Sequence, residues 1–327
     1  MRVLITTIPF SDKDKRPLEL LDKAGAEVVI NPLGRKLKEA DLVELISDVD
    51  VLIAGTESIT EQVLEVATQL KLISRVGIGL DSVDLLAARQ RGIEVCYTPD
   101  APSAAVAELT IGLMIDLLRS VQVSNHRIHR GEWYRYLGRR LSEVTIGIIG
   151  AGRIGSRVIR HLAGFDCNRI LVNDSDSSLV LPSHPNCSVE RSAKDVIYRD
   201  ADIISIHVPL TAQTRNLVSR KEISSMRPGT LLINTARGGI INEQDLFSAL
   251  ESGHIAGAAI DVFEQEPYDG DLTSLDQCLL TAHMGSMSVD CRVRMEIEAT
   301  EEAVRFISGQ LLQSVVPEAE YVNQQLA

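Results

Sequence analysis

Three side chains of complementary chemistry follow three strand-like runs in the second half of the chain: Arg237, Glu266 and His283. A guanidinium can bind a carboxylate through two parallel hydrogen bonds, and an imidazole can exchange a proton with a neighbouring oxygen. A carboxylate beside the imidazole orients the ring and favours its charged form. Each residue alone also fits a structural role, as a turn arginine, a cap before Pro267 or a loop histidine. Together they are the groups that reversible hydride transfer to a 2-keto acid requires.

A glycine-rich turn precedes this set, where Gly150, Gly152 and Gly155 form a G-x-G-x-x-G pattern between an apolar run and a helical pattern. The first glycine permits the tight turn, the second lets the backbone approach a pyrophosphate, and the third lets the helix pack closely on its strand. Amides at the start of the helix can then bind the phosphates. The pattern predicts a dinucleotide-binding turn, with a purely structural turn as the alternative.

Asp174 ends the next strand-like run, about 20 positions after the turn, where a carboxylate can accept hydrogen bonds from the adenosine ribose. It also fits an ordinary turn aspartate. The following residues, 175–177, contain no arginine or lysine that could neutralise a 2′-phosphate. We therefore expect NAD as the cofactor in preference to NADP.

The elements that must position these groups alternate between strand-like and helix-like runs, which predicts parallel sheets. In the first hundred residues the strand-like runs are 3–6, 28–30, 51–54, 72–76 and 95–97, and the helix-like runs are 17–24, 37–46 and 84–91. The second series of strand-like runs is 146–149, 170–174, 203–208, 231–234, 258–262 and 279–281. Arg237, Glu266 and His283 thus follow the carboxyl ends of strands, the edge at which open parallel sheets bind ligands.

Apolar residues at three- and four-residue spacing predict a long connecting helix from Ser103: Val106, Leu109, Leu113, Leu117 and Val121. A last helix over 289–308, followed by an irregular tail, is expected to cross back to the first domain. This predicts an α/β fold of two doubly wound parallel-sheet domains with a ligand cleft between them. Residues 1–100 and 288–327 would form a flavodoxin-like substrate domain, and residues 101–287 a Rossmann NAD-binding domain.

Composition restricts the partners and the compartment. The net charge of −12 argues against nucleic acid or an anionic membrane, since both bind basic surfaces. The first residues read as a strand and not as a cleavable signal, and no apolar run reaches membrane-spanning length. Five cysteines without C-x-x-C spacing indicate reduced thiols, with neither a disulfide framework nor a metal site. We expect a cytoplasmic protein.

Longer motifs around these residues resemble the signatures of the NAD-dependent D-2-hydroxyacid dehydrogenases, over nearly the whole chain. The motifs are Asn234-Thr-Ala-Arg237-Gly-Gly, Asp261-Val-Phe-Glu-Gln-Glu266-Pro, Thr281-Ala-His283-Met-Gly-Ser, Ser74-Arg-Val-Gly-Ile-Gly-Leu-Asp81, Val106-Ala-Glu108 and His207-Val-Pro-Leu210. The sequence is most similar to the short D-3-phosphoglycerate dehydrogenases within this family.

The resemblance implies a role for each motif. Arg237 would bind the substrate carboxylate and polarise its carbonyl, His283 would be the acid/base, and Glu266 its partner. Asp261 would contact the nicotinamide carboxamide. The implied substrate-binding residues are Arg75, Val76, Gly77, Ile78, Gly79 and Arg237, the backbone amides of 76–79 holding the other side of the carboxylate. The implied cofactor-binding residues are Gly150, Gly152, Arg153, Ile154, Gly155, Asp174, His207, Val208, Pro209, Thr214, Thr235, Ala236, Asp261, His283 and Gly285.

The sequence departs from the family pattern in two places. Ala282 replaces the usual proline before the histidine, and Met284 and Met287 fit either gap-filling side chains or a reshaped pocket. The loop at 54–57 lacks the arginine that phosphoglycerate enzymes commonly offer to the phosphate, and Glu57 would repel a phosphate. As a hypothesis, Glu57 instead recognises a hydroxyl or an amine at the far end of the substrate.

Residues 125–140 combine five arginines with three aromatic side chains. A solvated helix end explains this segment as well as a functional surface does. In the family the segment lies at a dimer interface, which predicts a homodimer that buries part of 103–141.

The sequence thus predicts an NAD-dependent oxidoreductase that interconverts a small D-2-hydroxy acid and its 2-keto acid. Two other functions fit the same fold. One is an NAD(H)-sensing, corepressor-like binding protein, which is disfavoured by the lack of long disordered tails. The other is a phosphite-type dehydrogenase.

Overall fold

The computed structural model, which describes residues 1–182 and 184–325, divides into two compact units. The first unit comprises Met1–Pro102 and Met287–Ala327, and the second comprises Ser103–Ser286. Residues 326 and 327 of the expected segment 288–327 lie outside the described residues.

The first hundred residues alternate strictly between strands and helices. The strands are β1 (Arg2–Ile5), β2 (Glu27–Ile30), β3 (Val51–Ala54), β4 (Leu72–Arg75) and β5 (Glu94–Cys96). The helices are α1 (Arg16–Lys23), α2 (Glu39–Leu45), α3 (Glu61–Val66) and α4 (Leu85–Gln90). Every residue of β3 and β4 is buried, as expected for the central strands of a sheet that is covered on both faces.

The second unit begins with two helices, α5 (Ser103–Arg119) and α6 (Val121–His129). Its strands are β6 (Thr145–Ile149), β7 (Arg169–Asn173), β8 (Ser188–Arg191), β9 (Ile203–Ile206), β10 (Thr230–Asn234), β11 (Ile255–Ile260) and β12 (Cys278–Leu280). The helices among them are α7 (Gly155–Ala163), α8 (Lys194–Asp200), α9 (Arg220–Ser225) and α10 (Glu243–Glu251), with 3₁₀ turns at Leu141–Glu143 and Asp271–Ser274.

The chain then returns to the first unit through α11 (Val289–Ile307) and α12 (Glu318–Gln325). Ser288 caps α11, its hydroxyl accepting the amide of Cys291 at 3.4 Å. The helix packs against α1, β3 and β4, and the hydroxyl of Ser74 donates to the carbonyl of Ala299 at 2.8 Å. The last segment of the chain therefore completes the core of the first unit.

Both sheets are wholly parallel and doubly wound, which confirms the predicted fold class. The first has the order β2-β1-β3-β4-β5, the flavodoxin-like arrangement, and the second has the order β12-β11-β10-β9-β6-β7-β8, a Rossmann sheet with an added strand. In the second unit Ile146 and Ile148 belong to one apolar cluster and Ile149 to another. Alternate side chains of a strand point to opposite faces, so each face of this sheet has its own core.

Three elements differ from the sequence-based expectation. The tail after the last long helix, expected to be irregular, contains the helix α12. The connecting helix ends at Arg119 instead of continuing through Val121, because Ser120 adopts a left-handed conformation with φ +51°. The carboxylate of Asp116 then accepts the amide of Gln122 at 3.0 Å and starts a separate helix. β8 was not predicted, since Ser188–Arg191 contains a single apolar residue. Across the described residues, no helix combines the length and the apolar character needed to span a membrane.

Candidate active site

The residues with predicted chemistry in the second unit follow neighbouring strands. Arg237 follows β10, Glu266 follows β11 and His283 follows β12, and these three strands are adjacent in the sheet. Because all strands are parallel, their carboxyl ends meet at one edge. The glycine turn follows β6 at that same edge, and His207 follows β9, which lies between β6 and β10.

The glycine turn is built by two close backbone approaches. Gly150 has φ +91°, and a Cβ on it would lie 2.5 Å from the carbonyl oxygen of His207. A Cβ on Gly155 would lie 2.0 Å from the carbonyl oxygen of Gly150. A Cβ on Gly152 would meet nothing within 4 Å, so this glycine leaves open space beside the turn.

The open space has the chemistry of a phosphate site. The amides of Gly152 and Ile154 donate to no described residue, and they precede the nine-residue helix α7. A helix start with unused amides attracts anions through these donors and through the helix dipole. The turn therefore fits the pyrophosphate of a dinucleotide.

Asp174 lies beside this turn, immediately after β7. Its Oδ2 accepts the amide of Ala151 at 2.6 Å and its Oδ1 accepts the amide of Asp176 at 2.9 Å. An ionised carboxylate has about four acceptor positions, so both oxygens keep capacity for ribose hydroxyls. The negative charge at this position fits NAD and disfavours a 2′-phosphate.

His207 presents a nitrogen that has no partner among the described residues. Its Nε2 lies 2.9 Å from the hydroxyl of Ser205, whereas Nδ1 is buried without a hydrogen bond. Burial lowers the pKa of His207 to about 4, so the ring is neutral at physiological pH. A neutral ring can offer Nδ1 to a ligand as either donor or acceptor.

The loop after His207 is closed by Thr214. Its hydroxyl donates to the carbonyl of Pro209 at 2.6 Å and accepts the amide of Thr211 at 2.7 Å. Val208 lies within this closed loop and is partly buried. Thr214 therefore fixes the backbone of 207–214, the segment to which the family resemblance gives a cofactor-binding role.

Asn234 positions the backbone of the arginine loop. Its side chain donates to the carbonyl of Arg237 at 2.8 Å and accepts the amide of Ala236 at 3.0 Å, which closes an Asx-type turn. Gly238 allows the next step, since a Cβ there would lie 2.0 Å from the carbonyl oxygen of Phe263. Asn234 was not among the predicted site residues, although an asparagine directly after a strand is a turn signal.

Two side chains of this loop point to defined partners. Nη1 of Arg237 donates to the carbonyl of Ala236 at 2.7 Å. Thr235 is buried, and its hydroxyl lies 3.0 Å from that of Thr110 in α5. Thr235 therefore anchors the start of the loop to a helix.

Glu266 and His283 form a direct pair. Nδ1 of His283 lies 2.9 Å from Oε2 and 3.0 Å from Oε1 of Glu266, and Oε1 also accepts the amide of Phe263 at 3.2 Å. With an ionised carboxylate, Nδ1 carries the proton and donates it. Nε2 is then the nitrogen left for proton exchange with a ligand.

Asp261 folds the loop that carries the histidine. The carboxylate is fully buried and accepts the hydroxyl of Thr281 at 2.6 Å and the amides of Met284 and Gly285 at 2.8 and 2.9 Å. His283 has φ +48° and donates its amide to the carbonyl of Asp261 at 2.8 Å. Asp261 thus supports the unusual backbone at His283, a function that its motif alone did not reveal.

The loop after β4 in the first unit uses part of its hydrogen-bonding capacity internally. The amide of Val76 donates to Ala54 at 2.9 Å, and the amide of Gly77 donates to the hydroxyl of Thr98 at 2.8 Å. The amides of Ile78 and Gly79 donate to no described residue. The anion-binding capacity expected of 76–79 therefore resides in its last two amides.

Arg75 supports this loop from its buried position. The side chain is 4% exposed, and Nη2 and Nε donate to the carbonyl of Gly79 at 2.9 and 3.2 Å. The guanidinium of Arg75 therefore binds the backbone of its own loop. Met284 and Met287 are 46% and 52% exposed, so neither fills a gap in the core of its own unit.

The chain is similar in sequence and in fold to known proteins. Residues 111–285 match the family model of the D-isomer specific 2-hydroxyacid dehydrogenases, NAD binding domain. The chain is 36% identical over 304 residues to a D-3-phosphoglycerate dehydrogenase of Methanocaldococcus jannaschii, which covers 91% of this chain and 57% of that relative. It is 34% identical over 294 residues to a hydroxypyruvate reductase of Thermotoga maritima, which covers 86% of this chain and 94% of that relative.

A solved structure agrees with these relatives. The glyoxylate reductase from Paecilomyes thermophila superimposes with a TM-score of 0.83 at 28% identity, over 98% of this chain and 99% of that one. The chain spans little more than half of the phosphoglycerate dehydrogenase and nearly all of the hydroxypyruvate reductase.

Proposed function

The chain belongs to the D-isomer specific 2-hydroxyacid dehydrogenase family, and from that membership we propose that it is an NAD-dependent oxidoreductase that interconverts a small D-2-hydroxy acid and its 2-keto acid. The observation that carries this proposal is the pair formed by His283 and Glu266, 2.9 Å apart. Arg237 follows the strand next to that of Glu266. An acid/base pair beside a carboxylate-binding group is what this reaction requires.

The cofactor assignment rests on the residues around the glycine turn. The amides of Gly152 and Ile154 would hold the pyrophosphate, Asp174 the adenosine ribose, and the neutral ring of His207 an adjoining polar group. When bound, NAD supplies the acceptor or donor of the hydride. The remaining chemistry belongs to the side chains of the protein.

In the direction of reduction, we assign the proton to Nε2 of His283, which gives it to the carbonyl oxygen of the keto acid. The imidazole thereby loses its positive charge. When a hydroxy acid is oxidised, Nε2 accepts the hydroxyl proton and the ring becomes charged again. Glu266 holds the ring through Nδ1 in both directions and stabilises its charged form. Arg237 binds the substrate carboxylate and polarises the carbonyl group.

In the first unit, we assign the amides of Ile78 and Gly79 to the substrate carboxylate. Arg75 has a positioning role, since its guanidinium binds the carbonyl of Gly79 and thereby holds both amides in place. This division makes a specific distinction between the two arginines. Arg237 touches the substrate, and Arg75 acts through the loop.

We also propose a homodimer. The segment after α6 exposes large apolar side chains: Trp133 is 84% exposed, Tyr134 55% and Leu137 fully. Exposed apolar patches of this kind mark protein–protein interfaces, and aromatic residues are enriched at them. Light scattering at micromolar concentration should give twice the mass of the chain, and a Trp133→Glu variant should give the monomer. A monomeric wild-type protein would contradict the proposal.

A cytoplasmic location completes the proposal. All five cysteines are buried and unpaired, which suits a reducing compartment. Fractionation of the native host, with a fluorescent fusion as a second readout, tests this location.

The experiment that tests the activity is nicotinamide absorbance at 340 nm on the purified protein. NADH and NADPH are each offered with a panel of 2-keto acids, phosphorylated and not, and Arg237→Ala serves as the control. We expect consumption of NADH with at least one acid and little with NADPH. Tight binding of NADH without turnover on any acid would contradict an oxidoreductase and favour an NAD(H)-sensing protein.

A further inference from the structure

Glu57 is a buried carboxylate at the carboxyl edge of the first sheet. Glu57 lies three residues after the end of β3 and is 2% exposed. Oε1 accepts the amide of Gly55 at 3.0 Å and the hydroxyl of Thr6, which directly follows β1. The side chain is therefore held in one orientation from two strands.

The position of this contact in the topology is informative. In the order β2-β1-β3-β4-β5, the chain adds β2 on one side of β1 and β3 on the other, so the switch point lies between β1 and β3. Doubly wound sheets bind ligands outside the carboxyl ends of the strands at such a switch point. Thr6 comes from one side of the switch and Glu57 from the other. Their hydrogen bond spans the place where this fold puts a ligand.

The other oxygen of Glu57 lacks a partner. Within 1–182 and 184–325, Oε2 accepts no hydrogen bond, and no lysine, arginine or histidine nitrogen lies within ion-pair distance of either oxygen. Oε2 is not among the fully enclosed side-chain atoms without a partner, so a donor from outside the protein can reach it. A donor from a ligand would supply what the protein does not.

The loop that carries Glu57 lies beside the proposed carboxylate-binding loop of the same unit. The amide of Ile59 donates to Ser82 at 2.7 Å, and the amide of Asp84 donates to Ile59 at 2.9 Å. These bonds join 55–60 to 76–84, the loop with the two unused amides of Ile78 and Gly79. One sheet edge therefore offers donors for one end of a molecule and an acceptor for the other.

We propose that Glu57 selects the substrate, by accepting a hydrogen bond from a donor group at the end of the molecule remote from its carboxylate. The chemistry that it recognises is a hydroxyl or an ammonium group on C3, and a phosphate there is rejected by charge. This inference rests on the proposed dehydrogenase activity and names its substrate class. It assigns Glu57 to specificity and not to the hydride or proton step.

Four hydroxy acids that differ only at C3 test the proposal: D-lactate, D-glycerate, D-isoserine and 3-phospho-D-glycerate. Oxidation by the full chain with NAD⁺ gives kcat/KM for each. We expect D-glycerate or D-isoserine to exceed D-lactate by roughly 10- to 100-fold, the range of a hydrogen bond to a charged group, and the phosphate ester to be the poorest. Which of the two leads distinguishes a hydroxyl site from an ammonium site.

Glu57→Gln keeps the size of the side chain and an oxygen for Gly55 and Thr6 while it removes the charge. It should lower the ratio of kcat/KM for the leading acid to kcat/KM for D-lactate by about tenfold. A purely structural role would lower the activity on all four acids together. Glu61→Gln, an exposed neighbour at the start of α3, is the matched control and should leave the ratio unchanged.

Two results would overturn the proposal: an unchanged ratio in Glu57→Gln, or preference of the wild-type protein for the phosphate ester. If none of the four acids is oxidised, the dehydrogenase activity on this substrate class fails separately. Calorimetric titration of the same acids into the protein with NADH then decides the role of Glu57. Tighter binding of D-glycerate or D-isoserine than of D-lactate, lost in Glu57→Gln, supports it, and equal or absent binding contradicts it.

Discussion

The amide of Gly285 donates to the carboxylate of Asp261 at 2.9 Å, which joins the end of β11 to the loop that carries His283. This bond and its two companions make a buried aspartate the support of the left-handed histidine. Asp261 therefore matters for the chemistry of His283, although its own role is to hold the loop.

Asp261→Asn should therefore lower both stability and turnover. The amide nitrogen would face backbone donors where an oxygen now accepts them, at a cost of about 2 kcal/mol in the free energy of unfolding. We expect kcat to fall at least about tenfold, because the imidazole loses its fixed position. Urea unfolding and steady-state kinetics measure the two effects. Asp276→Asn, an exposed aspartate before β12, should change neither, and wild-type kinetics in Asp261→Asn would contradict the supporting role.

Glu266→Gln should lower kcat by roughly 100-fold while NADH binds normally, since the neutral amide cannot stabilise the charged imidazole. His283→Ala should lower kcat further, and the double variant should be no worse than His283→Ala, because the two residues act as a unit. Stopped-flow kinetics and NADH fluorescence titration test this pattern. Glu264→Gln, exposed in the same loop, is the control, and additive losses in the double variant would be incompatible with the pair.

Arg237→Lys separates charge from geometry at the carboxylate site. Lysine keeps the charge but cannot form two parallel hydrogen bonds, so we expect KM for the keto acid to rise roughly tenfold or more with a smaller loss in kcat. Arg237→Ala should raise KM further and lower kcat as well. Arg220→Lys, on the exposed side of α9, should leave both unchanged, and an unaltered KM in Arg237→Lys would exclude bidentate binding.

The free energy of unfolding should depend on the protonation of His207 at acidic pH. Its pKa is about 4 in the folded protein against 6.5 without burial, so on acidification the unfolded chain takes up this proton first. The contribution of the buried neutral ring to the free energy of unfolding is present above pH 6.5 and is lost as the pH falls toward 4, a loss of about 3 kcal/mol. His207→Gln should therefore lose less stability than the wild-type protein between these pH values. The readout is the difference in urea-unfolding free energy at pH 7 and pH 4.5, with His161→Gln as an exposed control that should lose as much as the wild-type protein.

The cysteines should be unreactive in the folded protein. Burial raises the pKa of Cys291 to about 11 and those of Cys167 and Cys278 to about 12, so few thiolates exist at pH 8. We expect iodoacetamide to label none of the five in the native protein and all of them in urea, as measured by mass spectrometry. Rapid native labelling at any position would show local opening there.

Much of this fold follows from short apolar runs. Runs such as 51–54 and 203–208 are rich in β-branched residues, so the strands and their parallel order were predictable from alternation with helices. β8 was missed because a half-exposed edge strand lacks such a run. The break at Ser120 was missed because helical spacing does not reveal a left-handed residue.

The site was predictable to a different degree. Arg237, Glu266 and His283 were predicted as site residues from their types and their positions after strands, since the topology alone brings strand ends together. The supporting contacts of Asp261, Asn234 and Arg75 depend on loop conformations, and residue type does not determine them. The same holds for the amides of 76–79, because a sequence does not tell which backbone donors already have acceptors.

The return of α11 to the first unit has a consequence for the order of folding during synthesis. On a ribosome the strands β1–β5 emerge before α11, so one face of their sheet, which α1 and α11 cover together, is complete only after residue 289 has been made. The second unit is continuous in sequence, so it can finish folding before α11 has joined the first unit. Newly made chains should therefore expose part of the apolar face of the first sheet until α11 has been made, which is the interval in which a chaperone would find a binding site.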